Sequence, residues 1–310
     1  MGNDILVKEF LTTMTAGLNI LPDKSEENAF NTLCALWQTA AGNKVSPIVA
    51  ENLDLPQLSP SQLIVLKELV QSRLSGVPLA HLTGRQNFMG IELICDSRAL
   101  IPRKETEILG ETALEICNKL VENNSNINVL DVCCGSGNLG LVLASHQPKV
   151  IVNSSDLSTE AVDLTKENIS FLNLTKRVKV VQSDLFENFE TEEYWGKTDL
   201  IVCNPPYIST SKVTKMNTEI ANNEPAMAFD GGMIGLKVIQ KLIIEAPKFL
   251  TENGWLVFEV GLGQGPFIIQ LCEKSGFWPL IRSASDTSGN IRVIAVCRKS
   301  ENIESKTQTI

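Results

Sequence analysis

Four consecutive residues, Asn204-Pro205-Pro206-Tyr207, join an amide side chain, two prolines and an aromatic ring directly after the apolar run Leu200-Ile201-Val202-Cys203. The run reads as a buried strand, so the four residues fall in the loop where it leaves the sheet. Proline holds φ at about −65° and carries no N–H, so two in a row leave the neighbouring carbonyls without local donors. The chemistry this favours is recognition of an –NH2 group. The Asn204 side-chain carbonyl and the Pro205 main-chain carbonyl can each accept one N–H of an amide, with Pro206 beside them and Tyr207 offering an aromatic face. A plain turn is the competing reading, because Asn-Pro is a common turn string.

A second constellation lies upstream. Val129-Leu130-Asp131-Val132-Cys133-Cys134-Gly135-Ser136-Gly137-Asn138 reads as a strand, a glycine-containing turn and the start of a helix. In such a turn Gly135 and Gly137 let the backbone approach a ligand closely, and Asp131 and Cys133 join them as cofactor-binding candidates. Asp156 closes the next strand, where a carboxylate can accept both hydroxyls of a ribose. Asp184, followed by the apolar Leu185 and Phe186, is placed to meet an adenine amino group. Each piece alone is weak, since Gly-x-Gly can be a tight connection and Asp after a strand a helix cap. Gly135 to Gly140 contains the G-x-G-x-x-G string of dinucleotide sites, but hydride transfer gives no task to Asp131 or to Asn204 through Tyr207. S-adenosylmethionine uses all of them, with Asp131 organising the turn and Asn204 near the methionine end.

The elements that must position these residues alternate from about residue 105. Helices are expected over 105–122, 139–146, 159–172, 236–250 and 264–275. Strands are expected at 127–132, 149–154, 178–182, 199–203, 255–260, 278–281 and 292–296. The pattern is that of a doubly wound, mostly parallel seven-stranded α/β sheet, with Asp286 to Asn290 turning the last two strands antiparallel. Residues 1–80 read as a small helical domain, with Val7, Phe10, Leu11, Met14 and Leu18 on one face, Phe30, Leu33, Cys34 and Trp37 on another, and Leu63, Leu66, Val70 and Leu74 on a third. Ser59-Pro60-Ser61-Gln62 carries the marks of a capped helix start, and Gly76 closes that helix. Residues 81–104 suit a linking β-hairpin turning at Gly90, residues 105–300 hold the α/β domain, and 301–310 form a polar tail expected to fray.

Composition narrows the function classes. The 310 residues carry a net charge of −9 with a hydrophobic fraction of 43%. A broad nucleic-acid grip is not expected, because phosphate binding needs clustered Lys and Arg. The eight cysteines are scattered without a CxxC pair, and His81 and His146 are the only histidines. Buried free thiols of a reducing cytoplasm and no metal site are therefore expected. No secretory signal or membrane-length apolar stretch is read in the sequence.

Several motifs in order extend this reading. Gly76 to Gly84 with Phe88 and Gly90, Leu100-Ile101-Pro102-Arg103-Lys104-Glu105-Thr106-Glu107, Asn204 to Tyr207, Glu224 to Gly232, Glu259 to Gly265 and Asp286 to Arg292 together resemble the release factor glutamine N5-methyltransferase family, the HemK/PrmC type, over nearly all of the chain. The resemblance implies a Rossmann-like methyltransferase domain, S-adenosylmethionine as cofactor, and a peptide-chain release factor as the protein substrate docked in part by the N-terminal helices. It adds Arg103, Glu105 and Thr106 to Asn204, Pro205, Pro206 and Tyr207 as substrate-binding positions. Without it, 102–107 would be a turn capping a helix and His81 an ordinary hairpin residue. The chain departs from the family at Lys104, where proline is usual, and at Cys133, where glycine is usual. Lys104 puts a charge near the substrate entrance. Cys133 implies either a backbone without positive φ there or an altered cofactor pose.

The mechanism implied is methyl transfer to a side-chain amide nitrogen, oriented by the carbonyls of Asn204 and Pro205. Two rivals remain at this level: the same chemistry on a small molecule or a nucleobase amino group, and a cofactor-binding regulatory protein without turnover.

Overall fold

The computed structural model describes residues 2–21, 24–207, 223–229, 236–298 and 306–309. Asp230 to Gly232 of the sequence motifs, and 301–305 and 310 of the tail, lie outside these residues.

The N-terminal part is helical: α1 (Gly2–Gly17), α2 (Ala29–Ala40), α3 (Pro47–Ala50), α4 (Pro60–Leu74) and α5 (Leu79–Thr83). Met14, Leu33, Trp37, Leu66, Val70 and Leu79 form its core. Phe30, expected on the buried face of α2, sits in that helix's first turn and is 48% exposed. α4 begins with a capping box in which the Ser59 hydroxyl accepts from Gln62 N and the Gln62 side chain accepts from Ser59 N. The two reciprocal bonds satisfy donors that a helix start leaves open. Arg73 and Glu27 form a buried ion pair at 2.9 Å across the bundle.

A hairpin follows, β1 (Arg85–Phe88) and β2 (Ile91–Ile94), paired antiparallel with Phe88 opposite Ile91. Met89 and Gly90 turn it with φ of 48° and 83°. Positive φ at both turn residues matches the right-handed twist of the strands. Buried Asn168 anchors its far end, accepting from Ile94 N at 2.6 Å and donating to Ile94 O at 3.1 Å.

The α/β part contains α6 (Glu107–Leu120), β3 (Ile127–Val132), α7 (Asn138–His146), β4 (Val150–Asp156), α8 (Thr159–Phe171), β5 (Val178–Gln182), β6 (Thr198–Cys203), α9 (Lys237–Glu245), β7 (Leu250–Glu259), α10 (Gly265–Ser275), β8 (Leu280–Ser285), β9 (Ile291–Cys297) and β10 (Lys306–Thr309). The strand order is β10-β8-β9-β7-β6-β3-β4-β5, parallel from β7 through β5 and antiparallel where β9 meets β7 and β8. The seven expected strands are all present, and β10 adds a parallel eighth beside β8 from the segment expected to fray. α9 stops at Glu245 rather than running to residue 250, because Pro247 supplies no N–H to a continuing helix. β7 consequently starts at Leu250, ahead of the expected Trp255.

Side chains alternate between two cores. Ile127 and Val129 of β3 face the layer that includes Leu109, Ile116, Leu141 and Leu143, while Leu130 and Val132 face the layer with Phe186, Ile239, Phe249 and Ile268. From β3 the chain winds outward to β4 and β5, then returns so that β6 lies on the other side of β3. That reversal opens a crevice at the carboxyl ends of β3 and β6, where doubly wound sheets hold ligands. Among the described residues no helix is long and apolar enough to cross a membrane, and no group of three His, Cys, Asp or Glu side chains is placed to hold a metal.

Candidate functional site

At that crevice lies a cavity of about 190 Å³. Its walls come from the turn after β3 (Cys133 to Ser136), the ends of β4 and β5 (Asp156 and Ser183 to Leu185), the loop after β6 (Asn204 and Pro206), the segment before α6 (Pro102, Arg103 and Thr106) and Met227. Sequence-distant candidates therefore share one space.

The turn after β3 is held from behind. Asp131 is fully buried, and its Oδ2 accepts from Gly140 N at 2.9 Å, tying the strand to the first turns of α7. Gly140 permits that approach, since a Cβ there would lie 2.8 Å from the same oxygen. Gly137 stands at φ +82°, where a Cβ would meet Thr165 at 2.8 Å. Neither residue lines the cavity; each shapes the turn that does. Gly135 presents its N–H to Asp156 Oδ2 at 2.8 Å and its carbonyl to the Thr165 hydroxyl at 2.8 Å. Asp156 Oδ1 accepts from Ser158 N at 2.9 Å. Two charge-assisted bonds thus fix the Asp156 carboxylate and leave lone pairs on both oxygens for a diol. A Cβ built on Gly135 would touch nothing within 4 Å, and the buried Ser136 hydroxyl has no partner. With the apolar Leu157, Leu185 and Val238 around them, these residues fit a nucleoside.

Cys133 adopts φ +58°, so the departure from glycine does not reflect a backbone that avoids positive φ. The turn keeps its left-handed geometry and the side chain carries a cost of about 1 kcal/mol. Leu185, which also lines the cavity, stands at φ +50°. Two side-chain-bearing residues in that region facing one cavity is the clustering of strain expected of a ligand site. The Ser155 hydroxyl braces Leu185 by donating to its carbonyl at 3.2 Å. Asp184 is paired with Lys241 at 3.3 Å and lies at the rim.

Around Asn204 the polar groups form a chain. Asn204 Nδ2 donates to Thr106 Oγ1 at 3.3 Å, and Thr106 Oγ1 donates to Glu259 Oε2 at 2.7 Å. The Tyr207 hydroxyl donates to Glu259 Oε1 at 2.8 Å, and Arg292 Nη2 reaches the same oxygen at 3.3 Å. Arg292 also lies 4.0 Å from Glu105. Burial pushes the Glu259 carboxyl above its ordinary range, against the lowering effect of Thr106, Tyr207 and Arg292. Burial, reinforced by Glu259, likewise raises the Tyr207 phenol. Pro205, Tyr207 and Glu105 stand outside the cavity lining, and the Tyr207 carbonyl is held by Gln264 Nε2 at 3.0 Å. Arg103 is bound in a buried pair with Glu224, whose other oxygen accepts from Ile101 N at 2.8 Å. Lys104 is exposed and paired with Glu107.

Glu259, Arg292 and Glu224 hold the site's side chains, and none of the three stands out individually as a site residue in the sequence. The available signal is chemical: Glu259 directly follows the apolar run Trp255-Leu256-Val257-Phe258, and Arg292 directly precedes Val293-Ile294-Ala295-Val296. A buried charge in such a place needs a partner.

Asp131 gives a pH-dependent expectation. Burial raises its pKa from 3.8 to about 7, partly opposed by the Gly140 bond. The folded state therefore holds this proton over a range in which the unfolded chain has released it, and stability falls as pH rises from about 4 to about 7. Denaturant titrations near pH 5 and near pH 8 are expected to show a wild-type loss about 2 kcal/mol larger than that of Asp131→Asn. Equal losses in both proteins would remove Asp131 as the cause.

Residues 112–233 match the Methyltransferase small domain family. The chain is 34% identical to a release factor glutamine methyltransferase of Thermodesulfovibrio yellowstonii over 248 residues, covering 80% of this chain and 86% of that one. A protein of the same name from Geobacter sulfurreducens is 32% identical over 275 residues, covering 88% and 91%. Among solved structures, the hMettl16 catalytic domain in complex with MAT2A 3′UTR hairpin 6 superposes with a TM-score of 0.54 at 13% identity, covering 81% of this chain and 86% of that one, which is a likeness of fold.

Proposed function

Since this chain belongs to the release factor glutamine methyltransferase family, we propose that it transfers a methyl group from S-adenosylmethionine to the side-chain amide nitrogen of a glutamine in a peptide-chain release factor. The observation that carries the proposal is the convergence of Asn204 and Pro206 with Asp156, Asp184 and the turn after β3 on one cavity. An amide-recognising loop and a nucleoside-shaped wall face the same space.

In this reading Asp156 accepts the ribose hydroxyls, Leu185 and Asp184 meet the adenine, and the Cys133 to Ser136 backbone lies along the methionine end. Bound S-adenosylmethionine supplies an electrophilic methyl group on a sulfonium. An amide nitrogen is a poor nucleophile because its lone pair is delocalised into the carbonyl. The Asn204 side-chain carbonyl and the Pro205 main-chain carbonyl each accept one N–H of the substrate, hold its nitrogen in line, and stabilise the positive charge that grows on those hydrogens. Positioning of this kind and preorganised dipoles provide most of the acceleration. Glu224 binds the segment before α6 at both Ile101 N and Arg103 and keeps one wall of the cavity in place. The helices of 1–80 dock the protein substrate beside that wall, and 105–300 carry the chemistry.

Mass spectrometry of a purified release factor after incubation with enzyme and S-adenosylmethionine tests the proposal. A gain of one methyl group, mapped to a glutamine side chain, is expected. Methylation of free adenine nucleosides with the release factor left unmodified would overturn it.

A further inference from the structure

We infer that the Thr106 hydroxyl, backed by the Glu259 carboxylate, is a positioning group that sets which way the Asn204 amide faces, and with it the polarity of the site offered to the substrate –NH2. The inference rests on the amide-methylation reading above.

An asparagine amide is nearly symmetric in shape, and a half-turn about its last side-chain bond exchanges oxygen for –NH2. The exchange would be fatal to the proposed chemistry. With oxygen toward the cavity the loop accepts a substrate N–H, whereas with –NH2 toward the cavity two donors meet. Nothing in Asn204 itself selects between the two. The selection comes from its neighbour. A hydroxyl owns one proton and two lone pairs, and an ionised carboxylate only accepts. Thr106 Oγ1 lies 2.7 Å from Glu259 Oε2, and with the Arg292 guanidinium on Oε1 opposing the effect of burial and holding the carboxylate charged, the Thr106 proton is committed there. What Thr106 turns toward Asn204 is therefore a lone pair, and Nδ2 donates to it at 3.3 Å. Oδ1 is then the atom left for the cavity.

The chain is anchored at its far end. Glu259 Oε1 takes the Tyr207 hydroxyl at 2.8 Å and Arg292 Nη2 at 3.3 Å, so the carboxylate is held on both oxygens. Thr106 and Glu259 are each 1% exposed, which keeps water from competing for either bond. The arrangement gives Tyr207 a task as well: it stands outside the cavity lining and acts as a strut for Glu259.

The test is a double-mutant cycle in steady-state kinetics with S-adenosylmethionine and a purified bacterial release factor. Thr106→Val keeps the volume and deletes the hydroxyl. It is expected to lower kcat about tenfold or more and to leave the KM for the cofactor within about twofold. Thr106→Ser should restore most of the lost turnover. In an Asn204→Ala background the same Thr106→Val change should cost nothing further, because the group it orients is gone. A purely structural role predicts instead that the two losses multiply, and that outcome overturns the inference. So does a Thr106→Val protein with wild-type kcat. Glu259→Gln enters the chain one group further back and should show the same lack of additivity with Asn204→Ala, which keeps the question decidable should Thr106→Val fail to fold. A wild-type enzyme that methylates the release factor alongside multiplying losses leaves the amide reading standing and removes this inference alone. A wild-type enzyme with no such activity removes both.

Discussion

Asn204→Ala is expected to methylate its protein substrate about a hundredfold or more slowly than the wild type, with S-adenosylmethionine affinity nearly unchanged. Asn204 follows β6 at the cavity wall, and among the described residues its side chain donates through Nδ2 to Thr106, which leaves Oδ1 for a ligand. Its carbonyl therefore makes its main interaction with the reacting amide, and loss of a contact that matters mostly in the transition state appears in kcat rather than in cofactor binding. The ribose and adenine contacts proposed for Asp156 and Asp184 come from β4 and β5, on the far side of β3, so the substitution leaves that wall intact. Thermal unfolding with and without S-adenosylmethionine should show the same ligand-induced rise in both proteins. Wild-type turnover by a folded Asn204→Ala protein would make Asn204 a turn residue and end the amide mechanism.

The order of strands and helices was legible because apolar runs and glycine turns alternate at the spacing a doubly wound sheet demands. The capping box at Ser59 was legible for the same local reason. What local pattern could not reach was pairing across long stretches of chain. Thr106, Asn204 and Glu259 meet through three separate chain segments, and each alone reads as a cap, a turn or the end of a strand. Their joint role exists only once β6 and β7 lie side by side with Asn204 and Glu259 just beyond and at their ends. At Cys133 residue type does not forecast φ, which is 58° although the residue is not glycine. The turn's geometry is imposed by Asp131, Gly140 and the hydrogen bonds of Gly135, and a cysteine placed in it must comply. The end of α9 is hidden from the pattern because the apolar period runs through Pro247 while the helical hydrogen bonds do not.

Asp156→Ala is expected to weaken S-adenosylmethionine binding by roughly 1.5–3 kcal/mol, the loss of hydrogen bonds to a charged group, which is about 10- to 150-fold in Kd. The carboxylate has two tasks that must be separated. One is internal: it accepts from Gly135 N and Ser158 N and so holds the turn after β3 against the end of β4. The other is the proposed bond to the ribose diol. Asp156→Asn divides them, since one amide oxygen can keep a single backbone bond while the –NH2 faces the other N–H or the diol. A variant that binds nearly as weakly as alanine, while unfolding near the wild-type temperature, assigns the loss to the ligand rather than to a collapsed turn. Charge supplies an independent check. Burial raises the Asp156 pKa above its ordinary value despite the opposing backbone bonds. The carboxylate therefore protonates at a higher pH than an exposed aspartate, and wild-type affinity should fall as pH drops through that raised value. In Asp156→Asn, which has no proton to gain there, that fall should be absent. An alanine variant that folds and binds S-adenosylmethionine as tightly as the wild type would exclude Asp156 as the ribose acceptor, and the nucleoside would have to be placed elsewhere along the wall.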